Sequence, residues 1–194
     1  MRVFAVLLCG CWMTGGLPAS SHADVPSAIE TVLKVGHNGE GHAAAREAVA
    51  ELGRADAGQL TTILAAMDEA NPLAANWLRG VFETIAARSA DSDAGLPVPD
   101  LLAFFNDHQH APRARRLAYE WIITAEPKLK SELVAQALDD PSPEMRRDAV
   151  AVLIRQAIDA EKAGEKDQAI ETFRQALSGA GDPEHVNQIV KSLE

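Results

Sequence analysis

The sequence predicts an all-α protein, an alpha-alpha superhelix in which helix pairs stack side by side as a solenoid. Three observations support this prediction. β-Branched residues are scattered and never alternate with polar ones, and Ala, Leu, Glu, Gln and Arg fill segments of helical periodicity. Prolines that open predicted helices recur at Pro72, Pro112 and Pro143. Without the insertion at residues 89–97, both intervals between them are about 31 residues, a period typical of helical repeats.

The first 23 residues predict an export signal that does not belong to the fold. Arg2 gives a positive start, residues 3–13 are apolar, and a small-x-small cleavage site ends at Ala23, before Asp24. As a helix the apolar run would reach about 16 Å, too short for a bilayer core of roughly 30 Å. Cys11 ends a stretch that resembles a lipobox, so a lipid anchor at Cys11 is the alternative. In either case we expect a periplasmic or secreted protein.

The mature chain, residues 24–194, is expected to be one helical repeat domain that is held together by its apolar core alone. Both cysteines lie in the predicted signal, so we expect no disulfide. The whole chain has 18 Lys and Arg against 28 Asp and Glu, a net charge of −10, and removing the signal removes one arginine and no acid. This acidic balance argues against nucleic acid as a partner. No apolar run of the mature chain is long enough to cross a membrane.

Caps and helix breakers mark the predicted helices in order. Ser27 and Glu30 form a capping box for a first helix that is expected to end near Val35. Glycines then break the chain, and apolar periodicity predicts helices at residues 43–52 and 59–67. Later helices are expected to begin at or shortly after Pro72, Pro99, Pro112, Pro127, Pro143 and Pro183.

The helix from Pro143 to about Ile158 is the most strongly specified of these. Ser142 is placed to cap it, and Pro143 occupies the first turn, where no backbone N–H is needed. Its apolar residues cover two adjacent stripes, so the helix needs neighbours on two sides, as in the middle of a stacked array. One apolar stripe contains Met145, Ala149, Val152 and Leu153, and a polar stripe that could face water contains Glu144, Asp148, Arg155 and Asp159.

Aligning the prolines brings an arginine pair and a following alanine into register. The aligned residues are Arg115, Arg116 and Ala118 in one unit and Arg146, Arg147 and Ala149 in the next. This pattern after an Asp-x-x-Pro-like turn resembles the second helix of a HEAT repeat, although Ala75 and Asn76 stand at the arginine positions of an earlier unit. The resemblance implies a right-handed solenoid of HEAT-like, armadillo-like helix pairs. Chance similarity among alanine-rich helices is the alternative.

From Ala163 onward the pattern is similar to the second half of a tetratricopeptide repeat. There Gly164 would make the turn, Ala169 would pack closely, and Phe173 and Leu177 would fill a groove. With the signal, the units resemble exported bacterial HEAT-repeat proteins, in which the helical part often accompanies carbohydrate-active or electron-transfer domains. The residues to which the alignment and both resemblances give repeat-structural roles are Pro72, Trp77, Leu78, Pro112, Ala118, Trp121, Pro143, Met145, Ala149, Leu153, Gly164, Ala169 and Phe173.

The candidate partner-binding residues are an arginine ladder, Arg115, Arg116, Arg146 and Arg147, together with Tyr119. A row of guanidinium groups on an acidic molecule would suit an acidic peptide or a sugar acid. The alternative is that these arginines pair with acids of the neighbouring repeat. Tyr119 could stack on a sugar, but an aromatic residue on a helix is more commonly part of the core.

No metal, cofactor or catalytic site is expected. His37 and His42 flank one glycine-rich loop, and His108 and His110 lie in another. Each pair offers two ligands, whereas structural zinc needs four and catalytic zinc usually three, so we interpret them as exposed loop histidines. The mature chain also has no cysteine nucleophile, no Gly-x-Ser-x-Gly elbow and no phosphate-binding glycine loop.

These patterns together predict a non-catalytic, exported protein–protein interaction module, a scaffold or adaptor. Its contact surface would be the concave face lined by the second helix of each pair. The alternative is an accessory domain that positions an exported carbohydrate-active or redox enzyme. The last helix shows apolar Val186, Ile189, Val190 and Leu193 with no helix after it, so self-association through this helix is a further expectation.

Overall fold

The computed structural model describes residues 24–194, and the expectations for cleavage after Ala23 and for lipidation at Cys11 lie outside the described residues. Within residues 24–194 the protein is helical and contains no strand, which confirms the all-α prediction. The α-helices are α1 (Val25–Leu33), α2 (His42–Leu52), α3 (Leu60–Ala66), α4 (Pro72–Ala90), α5 (Val98–Asn106), α6 (Pro112–Ala125), α7 (Lys130–Ala137), α8 (Pro143–Lys162), α9 (Lys166–Gly179) and α10 (Pro183–Leu193). Single-turn 3-10 helices precede α2, α3 and α7.

Side-chain caps start three of these helices. Asn71 accepts two backbone hydrogen bonds of 2.9 Å from the first turn of α4. Ser142 accepts one of 3.3 Å from Met145 in α8, and Asp182 accepts one of 2.9 Å from the first turn of α10. Each cap satisfies N–H groups that have no partner within the helix. The predicted starts of α4 and α8 are therefore confirmed.

The predicted capping box of the first helix is wrong. α1 begins at Val25, so Ser27 lies inside the helix, where its carbonyl accepts a 3.0 Å hydrogen bond from the Thr31 hydroxyl. Pro26 occupies the first turn, a position that suits its fixed backbone angle and missing N–H. The helix therefore starts three residues earlier than a cap at Ser27 would place it.

Helices that are neighbours in sequence pack as pairs: α1 with α2, α3 with α4, α5 with α6, α7 with α8, and α9 with α10. The second helices of successive pairs also touch, so that contacts join α2 to α4, α4 to α6, α6 to α8 and α8 to α10. This arrangement is compatible with a helical repeat array. Among the described helices, none combines the length and apolar character that a membrane crossing requires.

Buried apolar side chains form one continuous core that extends from Val25 in α1 to Ile189 in α10. α8 has neighbours on two sides, as its sequence predicts, because it packs against both α7 and α9. Trp77 and Trp121 lie at the edge of the core and are half-buried. The buried members of the predicted repeat-structural set are Leu78, Ala118, Met145, Ala149, Leu153, Ala169 and Phe173.

The α9–α10 pair differs from the rest in its exposed apolar side chains. Gly164 turns the chain between α8 and α9 with φ of 84°, in the left-handed region that favours glycine. Leu177 is 37% exposed, so the prediction that it fills a groove is wrong, since no described helix covers that side of α9. Ile170 and Val190 are similarly exposed, at 39% and 42%.

Candidate partner-binding cleft between α6 and α8

Arg115 lies on the inner side of α6 and is 1% exposed. Its guanidinium donates to both carboxylate oxygens of Asp140, in the turn before α8, and its Nε donates to the Phe105 carbonyl at 2.7 Å. The guanidinium carbon also lies 5.5 Å from the centre of the Phe105 ring. A buried charge is tolerated only when it is paired and its donors are bonded, and both conditions hold here. This corrects the prediction for Arg115, because its side chain is not available to a partner.

Asp140, the other half of this pair, is 2% exposed. It also accepts a 2.8 Å hydrogen bond from the Ser142 backbone N–H, so the same carboxylate organises the start of α8. Burial alone would raise the pKa of Asp140, but the hydrogen bonds from Arg115 and Ser142 and the positive charge of Arg115 outweigh burial and lower it. The carboxylate is therefore ionised in the folded protein at neutral pH.

The other three members of the arginine ladder also make polar contacts within the protein. Arg116 Nε lies 3.0 Å from Asp148 Oδ2 in α8, and Arg147 Nε lies 3.3 Å from Asp182 Oδ2 at the start of α10. Arg146 donates to the Asp140 carbonyl. The contacts of Arg116 and Arg147 match the alternative in which the arginines pair with acids of the neighbouring repeat, whereas Arg146 contacts a backbone carbonyl within its own helix pair. Arg116 and Arg147 nevertheless remain more than half exposed, so they can also meet a partner.

A cleft of about 240 Å³ opens on the other side of the α6–α8 junction. Its floor is apolar, and charged side chains surround it. The lining residues are Arg116, Tyr119, Glu120 and Ile123 of α6, Lys130, Val134 and Ala137 of α7, and Met145, Asp148, Ala149, Ala151, Val152 and Arg155 of α8. Helical spacing explains the set, because residues three and four apart on α6 and on α8 face each other across the junction. Two predicted site residues, Arg116 and Tyr119, thus come together here.

The charges around the cleft fall into two groups. Glu120 and Asp148 are both held by Arg116, at 3.4 and 3.0 Å, and Glu120 also lies 3.3 Å from Arg79 of α4. Lys130 and Arg155, by contrast, have no ion pair with any of the described residues. The acids of the cleft are therefore neutralised from within the protein, whereas two of its cations are not.

Tyr119 is half-buried in the cleft, with its ring 5.9 Å from that of Phe105. Burial raises the pKa of its hydroxyl, the negative charges of Asp148 and Glu120 act in the same direction, and the charge of Arg155 opposes them. The hydroxyl consequently stays protonated at neutral pH. It makes no hydrogen bond within residues 24–194, so it is a free donor beside Arg155.

A second, wider hollow of about 600 Å³ adjoins the cleft along the second helices. Arg116, Glu120 and Met145 line both depressions, and the hollow continues to Arg79 of α4 and to Glu144. The two depressions form one strip across α4, α6 and α8. Such a strip suits an elongated ligand better than a compact one.

Of the four loop histidines, His37 and His108 are exposed as predicted, whereas His42 and His110 are partly buried. His110 stacks on Phe104 with ring centres 3.9 Å apart, and its Nδ1 lies 2.7 Å from Asp68 Oδ2, which joins the α3–α4 turn to the α5–α6 turn. His42 lies against Trp77, at 5.5 Å between ring centres. Among residues 24–194, no three His, Cys, Asp or Glu side chains are grouped as metal ligands would be.

Tyr119 and Arg116, which the sequence predicts as candidate partner-binding residues, line this cleft, whereas Lys130 and Arg155 were not predicted. The sequence places Arg155 on the polar stripe of α8, but this position alone does not indicate which residues of α6 and α7 lie opposite the stripe. No protein-family model, curated protein or solved structure matches this chain. The HEAT and tetratricopeptide resemblances therefore rest on the quoted motifs and on the helix pairing.

Proposed function

We propose that this protein is a non-catalytic, exported interaction module, a right-handed solenoid of HEAT-like helix pairs that binds a protein through its second helices. The observation that carries this proposal is the cleft between α6 and α8. It combines an apolar floor with Tyr119 and a charged rim, the composition expected at the centre of a protein-binding surface. The absence of a predicted nucleophile, phosphate loop or metal ligand set in the sequence favours recognition over chemistry.

Affinity capture from an envelope extract, with residues 24–194 as bait, tests this proposal. We expect one partner retained in stoichiometric amount by the wild type. Val152→Glu places a charge on the cleft floor and should abolish capture. Ala50→Glu places the same charge at an exposed position of α2, outside both the cleft and the α9–α10 pair, and is the matched control. Retention of no specific partner, or equal loss with both variants, would contradict the proposal.

The second candidate is an accessory domain that positions an exported carbohydrate-active or redox enzyme. The resemblance to exported bacterial repeat proteins favours it, and it uses the same cleft. It differs in its readout, because the captured complex would show an enzymatic activity that the isolated chain lacks. Capture of a partner without activity supports the adaptor function instead.

Self-association through the last helix, α10, is a further part of this proposal. Ile189 of that helix is buried, so the exposed apolar face includes residues of α9 as well. Ile170, Leu177 and Val190 are the exposed large apolar side chains of the described residues, and all three lie on α9 or α10. A second copy could cover them. Light scattering of the wild type and of Val190→Glu would show whether a dimer forms and whether it depends on this face.

A further inference from the structure

Three groups of the cleft that can donate hydrogen bonds have no partner among the described residues. Glu120 and Asp148 are already paired with Arg116, so their negative charges are offset within the cleft. Tyr119 contributes a hydroxyl, and Lys130 and Arg155 contribute cationic groups without an internal partner among the described residues. A ligand that satisfies these groups must supply an acceptor, and an anionic oxygen satisfies them best, since hydrogen bonds to charged groups are about twice as strong as neutral ones.

The volume of the cleft limits what enters it. At about 240 Å³ it is smaller than the roughly 300 Å³ at which pockets for whole small molecules begin. It can hold one apolar side chain against Met145 and Val152. The adjoining hollow provides a path for the chain on which that side chain is carried. A peptide fits this shape, whereas a free sugar acid would leave the apolar floor without a contact.

The net negative charge of the chain opposes the preference of the cleft for an anionic group. The chain has a net charge of −10, so it repels acidic molecules at long range. Binding of a carboxylate therefore requires cations that are not neutralised by the protein's own acids. Lys130 and Arg155 meet this condition within the cleft.

We propose that the cleft between α6 and α8 binds a peptide segment in which an apolar side chain is followed closely by an acidic one. The apolar side chain enters between Tyr119, Met145 and Val152. The carboxylate is bound by Arg155 and Lys130 and accepts a hydrogen bond from the Tyr119 hydroxyl. This inference rests on the proposed function and deepens it, because it gives the chemistry of the recognised partner.

Direct titration with defined peptides tests the inference. The probes are acetylated, amidated alanine heptapeptides with one Leu and one Glu, the Glu placed one, two, three or four residues after the Leu, and the same four peptides with Gln. Isothermal titration with residues 24–194 gives the affinities. For the best spacing we expect the Glu peptide to bind about tenfold or more tightly than its Gln counterpart.

Two variants of the cleft test whether Arg155 and Tyr119 cause the preference for the Glu peptide. Arg155→Gln should remove the advantage of Glu over Gln and leave the affinity for the Gln peptide nearly unchanged. Tyr119→Phe keeps the ring and removes only the hydroxyl, so it should reduce the advantage in part. Arg174→Gln removes an exposed cation of α9 outside the cleft and should change neither affinity. Circular dichroism of each variant establishes that the fold is retained.

Equal affinity for the Glu and Gln peptides, no binding by any peptide, or an unchanged Glu preference in Arg155→Gln would overturn the inference. These outcomes are separate from the test of the proposed function. If a partner is captured and lost with Val152→Glu while the peptides fail, the interaction module stands and its acidic peptide ligand does not.

Discussion

Two adjacent arginines of α6 lie on opposite sides of the junction between α6 and α8, and one is buried whereas the other is exposed. Arg115 is 1% exposed and joins Asp140 in a buried, fully bonded pair. Arg116, the next residue, is about half exposed and joins Asp148 at the surface, on the rim of the cleft. The closed side fixes α6 against the turn before α8, and the open side leaves room between the same helices. The buried pair thus lies on one side of the contact, and the proposed recognition would use the other.

The difference follows from the cost of removing charge from water. Removing one partner of a buried ion pair strongly destabilises the protein, because the other charge is then left unpaired in the interior. An exposed pair in water contributes little, since solvent and salt screen it. Mutations on the closed side should therefore change the free energy of unfolding, and mutations on the open side should change binding.

The largest effect is expected from Arg115→Met, which leaves Asp140 buried and unpaired. We expect a loss of about 3–5 kcal/mol in the free energy of unfolding, measured by urea denaturation. The double variant Arg115→Met with Asp140→Leu removes both charges and should recover much of this loss. A double variant as unstable as the single one would show that the pair does not act through its charge.

Met145→Ala tests the apolar contact that the two sides share. Met145 is 4% exposed, lies in the first turn of α8 and lines the cleft floor. Truncation should cost about 2–5 kcal/mol in the free energy of unfolding, through lost burial and the cavity that remains. A loss of less than about 0.5 kcal/mol would mean that Met145 is not held between helices.

Acid should weaken the closed side selectively. Since the folded-state pKa of Asp140 is lowered, its contribution to stability is fully present above the unfolded value of about 3.9 and is lost as the pH falls toward its folded value. The difference in unfolding free energy between wild type and Asp140→Asn should therefore be constant near neutral pH and shrink below about pH 4. A difference that is independent of pH in this range would argue against an ionised Asp140.

Arg116→Ala should have the smallest effect on stability. Its pairs with Glu120 and Asp148 are exposed, and such pairs contribute at most about 1 kcal/mol. The same urea measurement made beside Arg115→Met provides the contrast between neighbours. Equal losses in the two variants would remove the distinction between the closed and open sides.

Tyr119 reports on the open side without affecting the fold. It is the one tyrosine of the chain, so the ultraviolet absorbance of phenolate follows a single group. We expect its pKa to lie above the ordinary value of about 10, to fall in Asp148→Asn and to rise in Arg155→Gln. An ordinary pKa that neither variant changes would place the hydroxyl in open water, away from both charges.

Features specified by a few adjacent residues were predictable from the sequence. Asn71 with Pro72 and Ser142 with Pro143 define helix starts locally, and the apolar stripes of α8 indicated neighbours on both sides. The burial of Arg115 and the exposure of Arg116 were not predictable. Both residues match the same motif, and they differ only in the tertiary neighbour that each contacts. Leu177 was misplaced for the same reason, since its exposure depends on what lies beyond α9.

The pairing of helices with their sequence neighbours also has a consequence for how the chain folds. The principal contacts of each helix lie within its own pair or the adjacent one, so few distant segments must find each other before structure forms. Chains with such local contacts fold rapidly for their length. Amide hydrogens of α6 and α8, which pack against helices on both sides, should exchange slowly, and those of α10, in which Ile189 is the one buried residue, should exchange first.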